Sequence, residues 1–123
     1  MNYSSELEYL AIPYTHDQQS IMDFRANISD KVAAKLANEG RIIFAPISSW
    51  HSISKKYKLP TNFEYWKGLD EEFLKNCKKL LIICLAGWKE SVGVTAEIEI
   101  ANKYNIPIDY LNDKGELKNE VYS

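Results

Sequence analysis

Apolar residues in this chain fall into short unbroken runs, separated by stretches in which they recur every three or four positions. The runs are Tyr9-Leu-Ala-Ile12, Arg41-Ile-Ile-Phe-Ala45, Leu80-Leu-Ile-Ile-Cys-Leu85 and Ile106-Pro-Ile-Asp-Tyr-Leu111. Their length suits strands, and their continuity suits strands buried on both faces. Pro13 closes the first and Pro46 the second, because proline donates nothing to a ladder. From Asp17 to Asn38 the residues Ile21, Phe24, Ile28, Val32, Ala33, Leu36 and Ala37 recur at helical spacing, and Gly40 follows as a stop. A second helical region runs from Pro60 through Leu69, Phe73 and Leu74 to Cys77, and a third from Ser91 to Tyr104. Pro46 to Leu59 is polar without clear periodicity and reads as a long loop or lid. Asn112-Asp-Lys-Gly115 reads as a turn before a polar tail.

Strands alternating with helices imply right-handed crossovers and a parallel sheet covered on both faces. The expected fold is therefore α/β: one domain, a flavodoxin-like or Rossmann-like three-layer sandwich with four to five strands in the order 2-1-3-4. In such sheets ligands sit beyond the carboxyl ends of the strands, where the chain first turns the other way from strand one. The loops after strands one and three, Pro13-Tyr-Thr-His16 and Gly87-Trp-Lys-Glu-Ser91, should line that place.

One residue breaks the pattern of the third helix. At about 100° per residue, Thr95, Glu99, Asn102 and Lys103 share a solvent-facing arc, and Glu99 stands four residues before Lys103 as an ordinary surface pair. Glu97 falls nearly opposite, among Val94, Ile98, Ile100 and Ala101. A carboxylate there is either a satisfied structural acid or a reactive one. At the start of the same helix Ser91 occupies the N-cap, and Gly93 opens the first free amides to a ligand, an arrangement that suits an anion as well as a plain cap. Gly93 precedes Glu97 by one turn, so a ligand held at the helix end would reach the carboxylate.

Composition narrows the choices. With 123 residues and 46% hydrophobic content the chain has material for one real core. A formal charge of -2 without a run of basic residues argues against a nucleic-acid polymer or a membrane surface as partner. The N-terminal Met-Asn-Tyr-Ser-Ser-Glu lacks the basic and hydrophobic pattern of a leader, which points to the cytoplasm. Two cysteines, Cys77 and Cys84, suit reduced thiols, and with only His16 and His51 no metal-ligand cluster forms.

Tyr9-Leu-Ala-Ile-Pro-Tyr14, Asp70 ahead of Leu80-Leu-Ile-Ile83, and Ser91-Val-Gly-Val-Thr-Ala-Glu97 together resemble the nucleoside 2-deoxyribosyltransferase superfamily, which includes nucleotide N-glycoside hydrolases. Leu59-Pro-Thr-Asn-Phe-Glu-Tyr-Trp66 with Gly87-Trp-Lys-Glu-Ser-Val-Gly93 is similar to a bacterial and phage branch of it. The resemblance implies that Glu97 is the nucleophile toward the anomeric carbon, that Tyr9 orients it, and that Asp70 handles the proton of the departing base. It implies substrate contacts from Ile12, Pro13, Tyr14, Gly87, Trp88, Ser91 and Gly93, no cofactor, and a homo-oligomer whose subunits complete each other's sites. The chain departs from some relatives in two places. Its first loop has no arginine before Arg25, where some relatives use a glycine- and arginine-rich loop to grip phosphate, and an insertion around Gly87-Trp88-Lys89 reshapes the pocket.

Each residue also has a plainer reading. Asp70 fits an exposed helix turn, Tyr9 fits a strand, and a lone His51 in a loop fits a surface hydrogen bonder as well as a substrate contact. Trp88 offers a stacking face for a base, whereas Trp66 is expected to pack structurally. The function expected is cleavage, or transfer, of the N-glycosidic bond of a nucleoside or nucleotide. The alternative is a module on the same fold that binds, senses or sequesters a nucleotide without turning it over.

Overall fold

β1 (Leu7–Ala11), β2 (Ile42–Phe44), β3 (Lys79–Ile83) and β4 (Ile108–Leu111) pair in parallel in the order β2-β1-β3-β4, as the alternation of elements predicts. The computed structural model describes residues 6–118; the first five residues and the end of the polar tail lie outside them. Helices α1 (Gln19–Asn38), α2 (Pro46–Tyr57), α3 (Phe63–Leu74) and α4 (Val92–Lys103) flank the sheet in a flavodoxin-like or Rossmann-like sandwich. Among the described residues no helix is long and apolar enough to cross a membrane.

Side chains of successive strand residues point to opposite faces, and this alternation divides the core in two. Tyr9, Ala11, Leu80 and Ile82 pack with Leu74 of α3 and Val94, Ile100 and Ala101 of α4. Leu10, Ile12, Leu81 and Ile83 pack with Ile28, Val32 and Leu36 of α1. Leu80, Leu81, Ile82 and Ile83 are wholly inaccessible, and each contributes roughly 1.5–3 kcal/mol by leaving water. Because Tyr9 stands opposite Leu80 on the α3 and α4 side, its ring is aimed at whatever those helices carry inward.

Two expectations fail. The second run is not a fully buried strand: β2 pairs only with β1, and Ile42 is 38% exposed at the sheet edge. Arg41 lies just before it and holds β1 through a two-pronged pair with Glu8, at 2.8 and 2.6 Å. The expected long loop after it is instead the helix α2. Pro46 is its first residue, a position where the missing amide costs nothing, and Lys58 ends it in the left-handed conformation. Its inward positions Ile47, Trp50, His51 and Ser54 keep helical spacing but are half polar.

Candidate active site

α4 begins where the sequence places it. Ser91 caps it, its Oγ accepting from the Val94 amide at 3.2 Å. One turn past Gly93, the side chain of Glu97 turns in among Val94, Ile100 and Ala101 and is 6% exposed. Tyr9 Oη donates to Glu97 Oε2 at 2.6 Å, a short bond. Asp70 is buried too, in α3, where Glu72 faces solvent. The exposed-turn reading of Asp70 is thus overturned: it is 8% exposed and lies one turn before the core residue Leu74.

Burial dominates the electrostatics of this cluster. It pushes the Glu97 carboxyl up to about 8, with the Tyr9 hydrogen bond opposing and the charge of Asp70 adding to the rise. Burial likewise raises Asp70 to about 6, against the pull of the Tyr9 hydroxyl. Tyr9 itself is raised well above its ordinary value by burial first and by the two carboxyls next. Near neutrality the two acids hold about one proton between them, and the values belong to the pair.

Tyr9→Phe should remove the hydrogen bond that opposes the rise at Glu97. The expected outcome is a Glu97 titration moved upward, read from its side-chain carboxyl carbon by NMR, with a stability loss of about 1–3 kcal/mol in denaturant titration.

Above the pair opens a cleft of about 450 Å³. Ile12, Pro13, Tyr14, His51, Gly87, Ser91 and Gly93 all line it together with Asp70 and Glu97, so residues far apart in sequence meet in one place. Tyr9 does not line it and acts from behind the wall. Trp88 is the exception among the expected contacts. It packs against Tyr110, ring centroids 5.5 Å apart, and lines a separate depression with Cys84 and Lys118, because the Gly87 turn carries it away. The indoles that do line the cleft are Trp50 and Trp66, packed 5.1 Å apart, with Trp66 Nε1 anchored on the Pro60 carbonyl. Trp66 is therefore more than the structural residue expected, and Trp50 belongs to α2, the helix that the sequence pattern conceals.

Arg25 is the other residue that the sequence undervalues. It reaches from α1 into the cleft, and its Nη1 donates to the carbonyls of Tyr14 and Thr15 at 3.3 and 3.2 Å. Gly87, with φ of 88°, passes beside it; a Cβ there would sit 3.6 Å from Arg25 Nη2. The cleft thus has a guanidinium beside Gly87, in the loop that leads to α4, although the first loop itself carries no arginine. Its position within the helix, well beyond the loop, is what conceals it. Among the described residues no cluster of His, Cys, Asp or Glu is arranged to hold a metal ion.

A family model described as a domain of unknown function, DUF1937, matches residues 6–112. The chain belongs to the DUF1937 family. The match runs from β1 to the end of β4, so the DUF1937 domain contains the whole sheet, the cleft and the Tyr9, Asp70 and Glu97 cluster. No curated protein matches the chain.

Proposed function

We propose that this DUF1937 protein cleaves the N-glycosidic bond of a nucleoside or nucleotide, with water as the usual acceptor and a second base as the alternative one. The observation that carries the reading is the pair of buried carboxyls, Glu97 and Asp70, at a cleft of nucleoside size, with Tyr9 bonded to one of them. Likeness of the Tyr9, Asp70 and Ser91 to Glu97 segments to nucleoside 2-deoxyribosyltransferases supports the same chemistry. In this scheme the Glu97 carboxylate attacks C1′, the bond from C1′ to the base nitrogen breaks, and Asp70 gives its proton to the departing base. Water then adds to C1′ of the glycosyl ester, losing a proton to Asp70 and freeing Glu97. The required starting form has one proton, on Asp70. In the empty cleft the deeper burial of Glu97 favours the proton there; positive charge growing on the sugar ring beside it favours the productive arrangement.

Incubation with a panel of nucleosides, mononucleotides and NAD tests the reading. Base release that disappears in Glu97→Ala is expected; release from none of them, or release indifferent to that substitution, overturns it. The pH dependence follows from the one-proton requirement. The second proton loads below about 6 and the last leaves above about 8, so kcat/KM should be bell-shaped with its maximum between them.

One observation favours a second reading. A Glu97 that keeps its proton at neutral pH is a hydrogen-bond donor, and suits a module that binds or senses a nucleotide without turnover. Such a module would be stabilised against heat by a nucleotide that stays intact through long incubation. We also take the protein to be cytoplasmic and at least dimeric; a monomeric mass in light scattering at micromolar concentration with full activity would refute the dimer.

A further inference from the structure

The glycosidase scheme leaves one polar chain in the cleft wall unused. Tyr14, in the loop after β1, holds its Oη 2.7 Å from Nδ1 of His51 on α2. The other nitrogen of that ring, Nε2, lies 2.9 Å from Asp23 Oδ1 on α1. Asp23 is fixed in turn by Gln19 Nε2 on Oδ1 and Lys55 Nζ on Oδ2, both at 3.0 Å, and these contacts hold its carboxyl below the usual range. Tyr14 and His51 line the cleft, whereas Asp23 stands behind them.

A carboxylate only accepts, so Nε2 of His51 carries a hydrogen. With its hydrogen on Nε2, the ring's neutral tautomer has a lone pair on Nδ1, while Lys55 pairs with Asp23 at 3.0 Å. The hydrogen that fills the 2.7 Å gap is then that of the Tyr14 hydroxyl. Its oxygen is left with lone pairs, and no hydrogen, to offer the cleft. We propose that Tyr14 is a specificity-determining residue whose oxygen, fixed as an acceptor by His51 and Asp23, selects nucleosides that present an N–H or O–H donor to it. The inference rests on the nucleoside reading of the cleft and names what that cleft discriminates. His51 and Asp23 act through Tyr14 and are positioning residues. The donor chemistry has two sources on a nucleoside, an exocyclic amine of the base or a sugar hydroxyl. A site built to pair a ligand hydrogen rejects the analogue without it, because its own polar group is then buried unpaired.

Calorimetric affinities of the Glu97→Gln protein for adenosine and cytidine, their N-dimethylated amines and their 2′-deoxy forms test this. At least about tenfold weaker binding of one analogue class is expected, and which class weakens identifies the source of the donor. Tyr14→Phe should bring the members of that pair to within about twofold of each other, since the selective acceptor is gone. Asp23→Asn should also erase the preference. Its one oxygen goes to Lys55, its amide donates to Nε2, and the ring then donates from Nδ1 to Tyr14, turning the hydroxyl into a donor. Nitrogen NMR of His51 reads this directly: hydrogen on Nε2 in the parent, hydrogen on Nδ1 in Asp23→Asn. Equal affinity for all three forms of both nucleosides, absence of binding by any, or hydrogen on Nδ1 in the parent protein overturns the proposal. Selective binding without base release from the wider panel would leave it standing and remove the glycosidase reading instead.

Discussion

Glu97→Gln should abolish base release, by at least about a thousandfold, and at the same time make the protein more stable above neutral pH. The two effects share one cause. Glu97 is buried with its carboxyl raised from 4.5 to about 8, so between those values the folded state holds a proton that the unfolded state has lost. Stability contributed by that proton is complete below the unfolded value and declines as pH rises toward 8, where the charge is finally forced on a buried site. The cost is on the order of a few kcal/mol, or about 10 °C in Tm for a domain of this size. Glutamine keeps the shape and an acceptor for the Tyr9 hydroxyl but never ionises. Thermal unfolding of both proteins at pH 5 and pH 8.5 checks this: the curves should lie close at the lower pH and separate at the higher, the variant melting later. A purely structural Glu97, kept for its hydrogen bond alone, would give a variant no more stable at either pH.

That conflict between stability and charge is also why Glu97 stands out in the amino-acid sequence itself. A helix whose other face carries Thr95, Glu99, Asn102 and Lys103 has no reason to bury an acid, and the sheet order follows from the alternation of apolar runs with helical spacing. Asp70 is harder to read. Next to Glu71 and Glu72 it looks like one more surface acid, and only the docking of α3 against the sheet separates the buried one from its neighbours. α2 is illegible for a related reason. Four serines weaken its helical propensity, and its inward face carries His51 and Ser54 because it borders a cleft rather than the core. An apolar stripe is the signal by which a helix is found in sequence, and a helix that lends its inner face to a binding site loses it. Trp50 is concealed along with that helix. Arg25 is concealed because a cation carried within α1 reaches the cleft from the side, whereas sequence proximity points to the first loop alone.

Asp70→Asn should divide substrates by how much help their bases need to leave. An ordinary purine or pyrimidine departs as an anion unless it is protonated, so loss of the acid should cost about a hundred- to ten-thousandfold in kcat. A nucleoside of 7-methylguanine already carries positive charge on its base and departs neutral without a proton. Cleavage of its bond should fall far less in the same variant, within about tenfold, provided Glu97 still attacks. The substitution also removes a charge that helps raise Glu97, and the carboxylate is the only form this substrate needs, so activity on 7-methylguanosine should rise with pH in a single limb centred below about 8. Steady-state kinetics on both substrates across pH 5 to 9 read both effects. Equal losses on the two substrates would assign Asp70 to holding the cleft in shape, since a structural fault does not distinguish a leaving group that needs a proton from one that does not.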